Sequence, residues 1–320
     1  QVLARGFSTA LLLLIYIVSA EEMPAGSRAY AFSLLTMTAA LGAGTCLWLI
    51  PIADLGEPAW RALYVAPLLF LPLVRAVLRD LPETRRFASP HVEAPVAGHG
   101  RRFWLLASTG LLLAAFTSPA SQLLNEFLRD ERGYSATKVA LFTMITVTPA
   151  SIGVVAGGRL ADLRGRRAVA SVGIGVGVVL TVVQFAQAGW LMWVWAVASN
   201  IPAGLAVPSY MVYKSELFPT SLRGRLGGIV EALTVAGSAV GLVLVGALVD
   251  GGRSYGEAFA WVAIGPLVAL LIVLVAFPET AHRSLEDINP EDAGATGQPP
   301  RRPRRPAASI RDRHPRSSGT

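Results

Sequence analysis

One acid and four arginines crowd the stretch Gly157-Gly158-Arg159-Leu160-Ala161-Asp162-Leu163-Arg164-Gly165-Arg166-Arg167. The chemistry open to such a set is electrostatic. Arginine presents a rigid fork of donors to a carboxylate, and a carboxylate only accepts. Asp162 can also take hydrogen bonds from the start of a neighbouring helix, where free amides and the dipole favour an anion. Glycines at 158 and 165 let the chain turn sharply and let helices approach closely. Two further acidic stretches could answer these arginines: Glu21-Glu22-Met23-Pro24-Ala25-Gly26-Ser27-Arg28 and Glu216-Leu217-Phe218-Pro219-Thr220-Ser221-Leu222-Arg223.

A second set of polar groups stands in apolar surroundings. Glu231 lies about one and a half turns past Arg225 and could act as a proton-coupling acid. A salt bridge from Glu231 to a loop arginine is the favoured alternative. Gln122, Asn125 and Glu126 close one apolar run, Thr117 and Ser118 sit deeper in it, and Asn200, Tyr210 and Tyr213 mark another. Cys46 is the only cysteine, and His91, His99, His282 and His314 have no ligand-like spacing, so neither a metal site nor a cofactor is expected. No nucleophile–base pair stands within the apolar runs, which argues against an enzyme.

The elements that must carry these residues are long and apolar. Hydrophobic residues make up 53% of the 320 and charged residues only 15%, against about a quarter charged in soluble domains. Nine hydrophobic segments are predicted, at about 1–20, 29–51, 60–79, 103–124, 136–156, 168–188, 189–213, 226–249 and 257–277. A run of about 20 apolar residues spans a bilayer, and unpaired backbone is not tolerated there, so each must be a helix. The class is an all-α polytopic membrane protein. The charged stretch at 158–167 then reads as a tight turn between two spans.

Orientation follows from lysine and arginine in the short loops. The loops at 21–28, 80–102, 158–167 and 214–225 carry fourteen such residues, counting those at the adjoining helix ends, and the alternate loops carry five. The first set is therefore expected to be cytoplasmic, in the plasma (inner) membrane, and the tail falls on the same side. A net charge of +7 would suggest nucleic acid in a soluble protein; here loop and tail arginines account for it, so none is expected. The Pro-, Gly- and Arg-rich tail, residues 279–320, cannot build a core and reads as largely disordered.

The chain also repeats itself. Glu21, Pro24 and Arg28 match Glu216, Pro219 and Arg223 at a constant offset of 195, and Pro82-Glu83-Thr84 recurs as Pro278-Glu279-Thr280 at an offset of 196. Repeats related about the membrane normal are a transporter architecture. The same offset pairs Arg5 with Asn200, in the middle of its segment, so Arg5 is expected near the bilayer midplane. An arginine there is costly and usually serves a pathway or an anionic partner. Mapped back from residue 103, the offset also implies about three spans before Gln1.

Gly158, Asp162, Gly165, Arg166 and Arg167 match the loop signature G-x-x-x-D-[RK]-x-G-[RK]-[RK], with Leu163 at the first basic position and Arg164 after it. With the E-x-x-P loops and the Pro-Glu-Thr segments, the chain resembles the major facilitator superfamily, in particular its metabolite or sugar-porter branches. That resemblance implies a two-bundle fold with nine of twelve transmembrane helices present. Residues 1–79 would finish the first bundle, 80–102 link the two, and 103–278 form the second bundle. It also implies that Asp162 reaches the helix starting near Arg28. Arg164, Arg166 and Arg167 would pair with Glu21, Glu22 or Glu216 in a cytoplasmic gate. The expected function is secondary active transport of a small polar metabolite, an organic anion being one candidate class, with protons as coupling ion. A multidrug-type exporter and a non-transporting receptor or scaffold remain alternatives. The partners expected are a small-molecule substrate, the lipid bilayer and protons.

Overall fold

The structure, a computed structural model, describes residues 2–49, 61, 65–80, 84 and 95–295. Every regular element among them is helical. Two long helices come first, α1 (Val2–Glu22) and α2 (Arg28–Leu49). A short 3-10 turn, Ala66–Phe70, leads into α3 (Leu71–Asp80). Residue 60 and residues 62–64 of the third predicted segment lie outside the described residues.

The second part of the chain holds six stretches long and apolar enough to cross a membrane. They are α4 (Gly100–Gln122), α6 (Ala136–Val147) with α7 (Ala150–Arg164), α8 (Arg166–Ala186), α9 (Gly189–Glu216), α10 (Thr220–Asp250), and α11 (Tyr255–Val262) with α12 (Ile264–Ala276). A short α5 (Leu124–Asp130) follows α4. Pro149, which has no amide hydrogen, separates α6 from α7. Ser135 caps α6 by accepting from the Lys138 amide, and Ser254 with Glu257 forms a capping box on α11.

The charged stretch is not a loop. Residues up to Arg164 continue α7, Arg166 opens α8, and Gly165 alone reverses the chain at φ 104°. Nothing between Gly157 and Arg164 breaks a helix strongly enough to stop α7 earlier, and only glycine takes that φ without strain. The same holds at 214–225, where α9 runs to Glu216 and α10 starts at Thr220. The arginines therefore stand on rigid helix ends.

The second bundle has an aromatic core. Phe185 stacks on Phe259 with centroids 4.0 Å apart, and Phe116 and Phe127 meet them edge-on. α8 packs along α9, α4 along α10, and α7 along α9. α1 and α2 lie against α7, α9 and α10. The apolar part of that seam is small: Ala20, Ala29, Phe32, Ala161 and Val212. The chain after the last span folds back as α13 (Leu285–Ile288) and a 3-10 turn, Pro290–Ala295; residues 296–320 lie outside the described residues.

Candidate functional site

The seam between α1–α2 and the second bundle ends in a buried cluster of charge. Asp162 is fully buried on the last turn of α7. Its Oδ1 accepts from the Ala29 amide at 3.2 Å and its Oδ2 from the Tyr30 amide at 2.9 Å. Those amides belong to the first turn of α2, where no intrahelical acceptor exists and the dipole draws an anion. Gly158, one turn earlier on the same face, makes the approach possible. A β-carbon there would stand 2.6 Å from the Ala29 carbonyl oxygen and from the Ser33 side chain.

Arg166 is equally buried and gathers four partners. It pairs with Glu216 and lies 3.5 Å from Asp162, one helical turn away across Gly165. It also donates to Thr280 Oγ1 at 3.0 Å and to the Ala25 carbonyl at 3.3 Å. Glu279 holds the start of α8, accepting from the Arg166 and Arg167 amides at 2.9 and 3.1 Å. Arg164 and Arg167 extend to the surface, as does Glu22.

Two more pairs bridge the seam. Arg28 donates to Glu216 at 3.0 Å, and Arg223 donates to Glu21 at 2.5 Å. These are the repeat's own residues, exchanged: the acid of each copy binds the arginine of the other. A twofold relation produces such reciprocity, since residue i then meets j as j meets i. Pro24 and Pro219 stand in the turns that precede α2 and α10, where each carbonyl accepts from an amide of the following turn. Thr84 adds a bond in the first copy by donating to Glu21 at 2.6 Å; Pro82 and Glu83 lie outside the described residues. Four carboxylates, Asp162, Glu216, Glu21 and Asp292, thus surround three guanidiniums, Arg28, Arg166 and Arg223, out of water. Such a set holds while complete, and losing one partner typically costs about 3–5 kcal/mol.

The folded-back C-terminal segment braces this clasp. Arg102 donates to the Asn289 side chain at 2.7 Å and to the Ile288 and Leu217 carbonyls. Asn289 donates to the Glu216 carbonyl at 2.8 Å, and Asp292 accepts from the Thr220 amide at 3.0 Å. Arg102, Glu279, Asn289 and Asp292 were not singled out as site residues from sequence. For Glu279 a signal was available, because Pro-Glu-Thr follows the last helix of both repeats.

The residues expected along a pathway are spread along the molecule. Gln122 and Asn125 are exposed at the end of the bundle away from the clasp, and Gln122 bonds Ser118 at 2.6 Å. Asn200 donates to the Ala196 carbonyl of its own helix at 2.8 Å. Arg5 lies on α1, with its side chain outside the described residues. Glu231 does not pair with a loop arginine; its partner is Lys214, at 2.7 Å. Arg225 is exposed on the first turns of α10, whereas the Lys214 stem enters the protein. A cleft of about 670 Å³ opens between α2 and α7, lined by Tyr30, Met37, Ile152, Val155 and Arg159 among others.

Repeated sets of apolar helices meeting in a reciprocal ionic seam define a multi-pass helical membrane protein built from two related halves. The sequence pattern of the Major Facilitator Superfamily matches residues 105–315. The chain belongs to that superfamily, whose members are membrane transporters. Its fold is similar to that of the proton:xylose symporter XylE bound to 6-bromo-6-deoxy-D-glucose, with a TM-score of 0.69 and 18% identity over 87% of this chain and 70% of that one. A double-tryptophan variant of XylE gives 0.66 and 16% identity over 86% and 69%. A bacterial homologue of the iron transporter ferroportin, in an outward-facing state, gives 0.56 and 20% identity over 80% and 64%. No curated protein matches the chain in sequence.

Proposed function

We propose that the protein is a secondary active transporter that carries a small polar metabolite, organic anions being one candidate class, by alternating access. The reciprocal pairs Arg28–Glu216 and Arg223–Glu21 carry this reading. A transporter must open to one side at a time, so contacts between its halves have to be strong when closed and able to break as a set. Polar contacts with alternative partners in water meet that demand better than an apolar core does.

In this reading the clasp is the cytoplasmic gate. Glu21, Pro24, Arg28, Gly158, Asp162, Gly165, Arg166, Glu216, Pro219 and Arg223 form its interior, with Glu22, Arg164 and Arg167 at its rim. The segments at 21–28, 80–102, 158–167 and 214–225 and the tail then face the cytoplasm, with the protein in the plasma membrane. The halves are residues 1–79 and 103–278, joined by 80–102. Arg5, Asn200 and Glu231 are assigned to the pathway between them, and Gln122 and Asn125 to its outer mouth.

Uptake of labelled metabolites by the full-length protein in proteoliposomes, with and without a pH gradient, tests the function. Saturable flux that falls at least tenfold in Asp162→Asn supports it. Absence of flux for every compound would favour a receptor or scaffold, and flux confined to amphiphilic cations would favour an exporter. Flux indifferent to Arg5→Ala would remove Arg5 from the substrate site.

A further inference from the structure

The pair Lys214–Glu231 lies apart from the clasp and has no part in closing it. Lys214 Nζ donates to Glu231 Oε2 at 2.7 Å; the lysine side chain is 6% exposed and the glutamate side chain 26%. The ammonium also lies 5.3 Å from the centre of the Tyr210 ring. The Tyr210 hydroxyl is occupied, donating to the Leu106 carbonyl at 2.8 Å.

The direction of Lys214 is unusual. It stands two residues before the end of α9, while Glu231 is eleven residues into α10, roughly 16 Å along that helix. A lysine near the end of a span ordinarily extends outward to water. This one turns inward, toward Glu231.

The surroundings place the pair at the seam. Glu231 shares a helix face with Gly227, one turn earlier. A β-carbon on Gly227 would stand 3.6 Å from Leu13 of α1, so that face looks toward the first half. Among the described residues, the titratable groups that face Glu231 are Lys214 and Tyr210, both from α9. α4 carries only Arg101 and Arg102, on its first turn, and those of α11 and α12, Tyr255 and Glu257, lie at the opposite end. On α1, the Tyr16 hydroxyl bonds Thr36, Glu21 belongs to the clasp, Glu22 is exposed, and the side chain of Arg5 lies outside the described residues.

A buried ammonium needs one anionic neighbour, because an unpaired charge is strongly unfavourable there. Of the two side chains the carboxylate is the more exposed, so it is the member that can let go of the pair. The geometry points to a carboxylate-binding site at Lys214, held by Glu231 when empty and by a substrate carboxylate when filled, with Glu231 taking up one proton as it lets go. The balance is simple. One proton adds to Glu231, the ammonium keeps its own protons and changes partner, and no net charge moves. On release the proton and the carboxylate both depart and the original pair re-forms. The Tyr210 face holds the ammonium during the exchange. This inference rests on the transport reading and deepens it, naming a monocarboxylate as substrate class and one co-transported proton.

Infrared difference spectra of the purified full-length protein in detergent, titrated with acetate, benzoate and gluconate, test it. The band to follow is the protonated-carboxyl stretch that disappears in Glu231→Gln. At least one carboxylate should raise the Glu231 titration midpoint by a unit or more, and its affinity should fall about tenfold per pH unit between the empty and the filled midpoints. Xylose and chloride should leave the band unmoved. Lys214→Met should abolish the carboxylate effect in a protein that still elutes as a single species, and Lys214→Arg should restore part of it. The inference is overturned if no carboxylate moves the band, if xylose or chloride moves it equally, or if the effect survives Lys214→Met. Flux in proteoliposomes is the separate measure of transport. A band shift without flux would leave this site standing and remove the transport reading; flux without a band shift would remove only the site.

Discussion

The interior of the second bundle and the seam between the halves are both buried, and they are built from opposite materials. The bundle closes on rings, with Phe116, Phe127, Phe185 and Phe259 interlocked. Among the described residues, no side chain of α1 or α2 belongs to that core. The seam closes on a few apolar residues, Phe32 among them, and on a cluster of buried ion pairs. Close-packed rings interdigitate in one arrangement and resist any shift that would open a void. Paired charges are bound as a set or hydrated as a set. The protein therefore places its apolar contacts inside the bundle and most of its buried charges between the halves.

That division can be broken experimentally. The largest effects should come from Phe259→Ala and Arg166→Met, each lowering stability by about 3–5 kcal/mol. They should differ in where the protein opens. With Ser33→Cys as a reporter buried in the seam, thiol labelling should rise at least tenfold in Arg166→Met and little in Phe259→Ala. Equal labelling in both would erase the distinction.

A smaller effect sharpens it. In a double-mutant cycle of Glu21→Gln and Arg223→Met, the pair should couple by about 1–3 kcal/mol, read from thermal unfolding. Additive losses would mean that the two side chains are neighbours and not partners. Gly158→Val should cost about 1–3 kcal/mol, because its side chain would meet the Ala29 carbonyl and force α7 off α2. Unchanged stability and unchanged Ser33→Cys labelling would argue that the two helices are not held at this distance. Least of all, Arg164→Ala and Arg167→Ala should each stay within about 0.5 kcal/mol of the parent, since both side chains are exposed.

Much of the clasp was legible before any coordinates. The acceptor role of Asp162 followed from its type, and its partner, the start of α2, from the family resemblance. The choice among the arginines was not legible. Four stand within nine residues, and only Arg166 is buried, because Gly165 turns the chain so that Arg166 opens α8 facing Asp162 and Glu216. Glu231 teaches the same lesson from the other side. A loop arginine and a lysine were both within chain reach; α9 and α10 meet so that the lysine stem points inward and the arginine outward.

Hydropathy, charge bias and the repeat are properties of each segment against its solvent, so sequence alone determined that this is a helical membrane protein with two related halves. Lipid accepts no unpaired backbone, and that constraint acts on every span separately. Which carboxylate meets which guanidinium depends on the facing of helices nearly two hundred residues apart. A rotation of one helix by a third of a turn would part these pairs without altering any local preference. Only the tertiary structure decided that, because an ion pair is a statement about two surfaces at once.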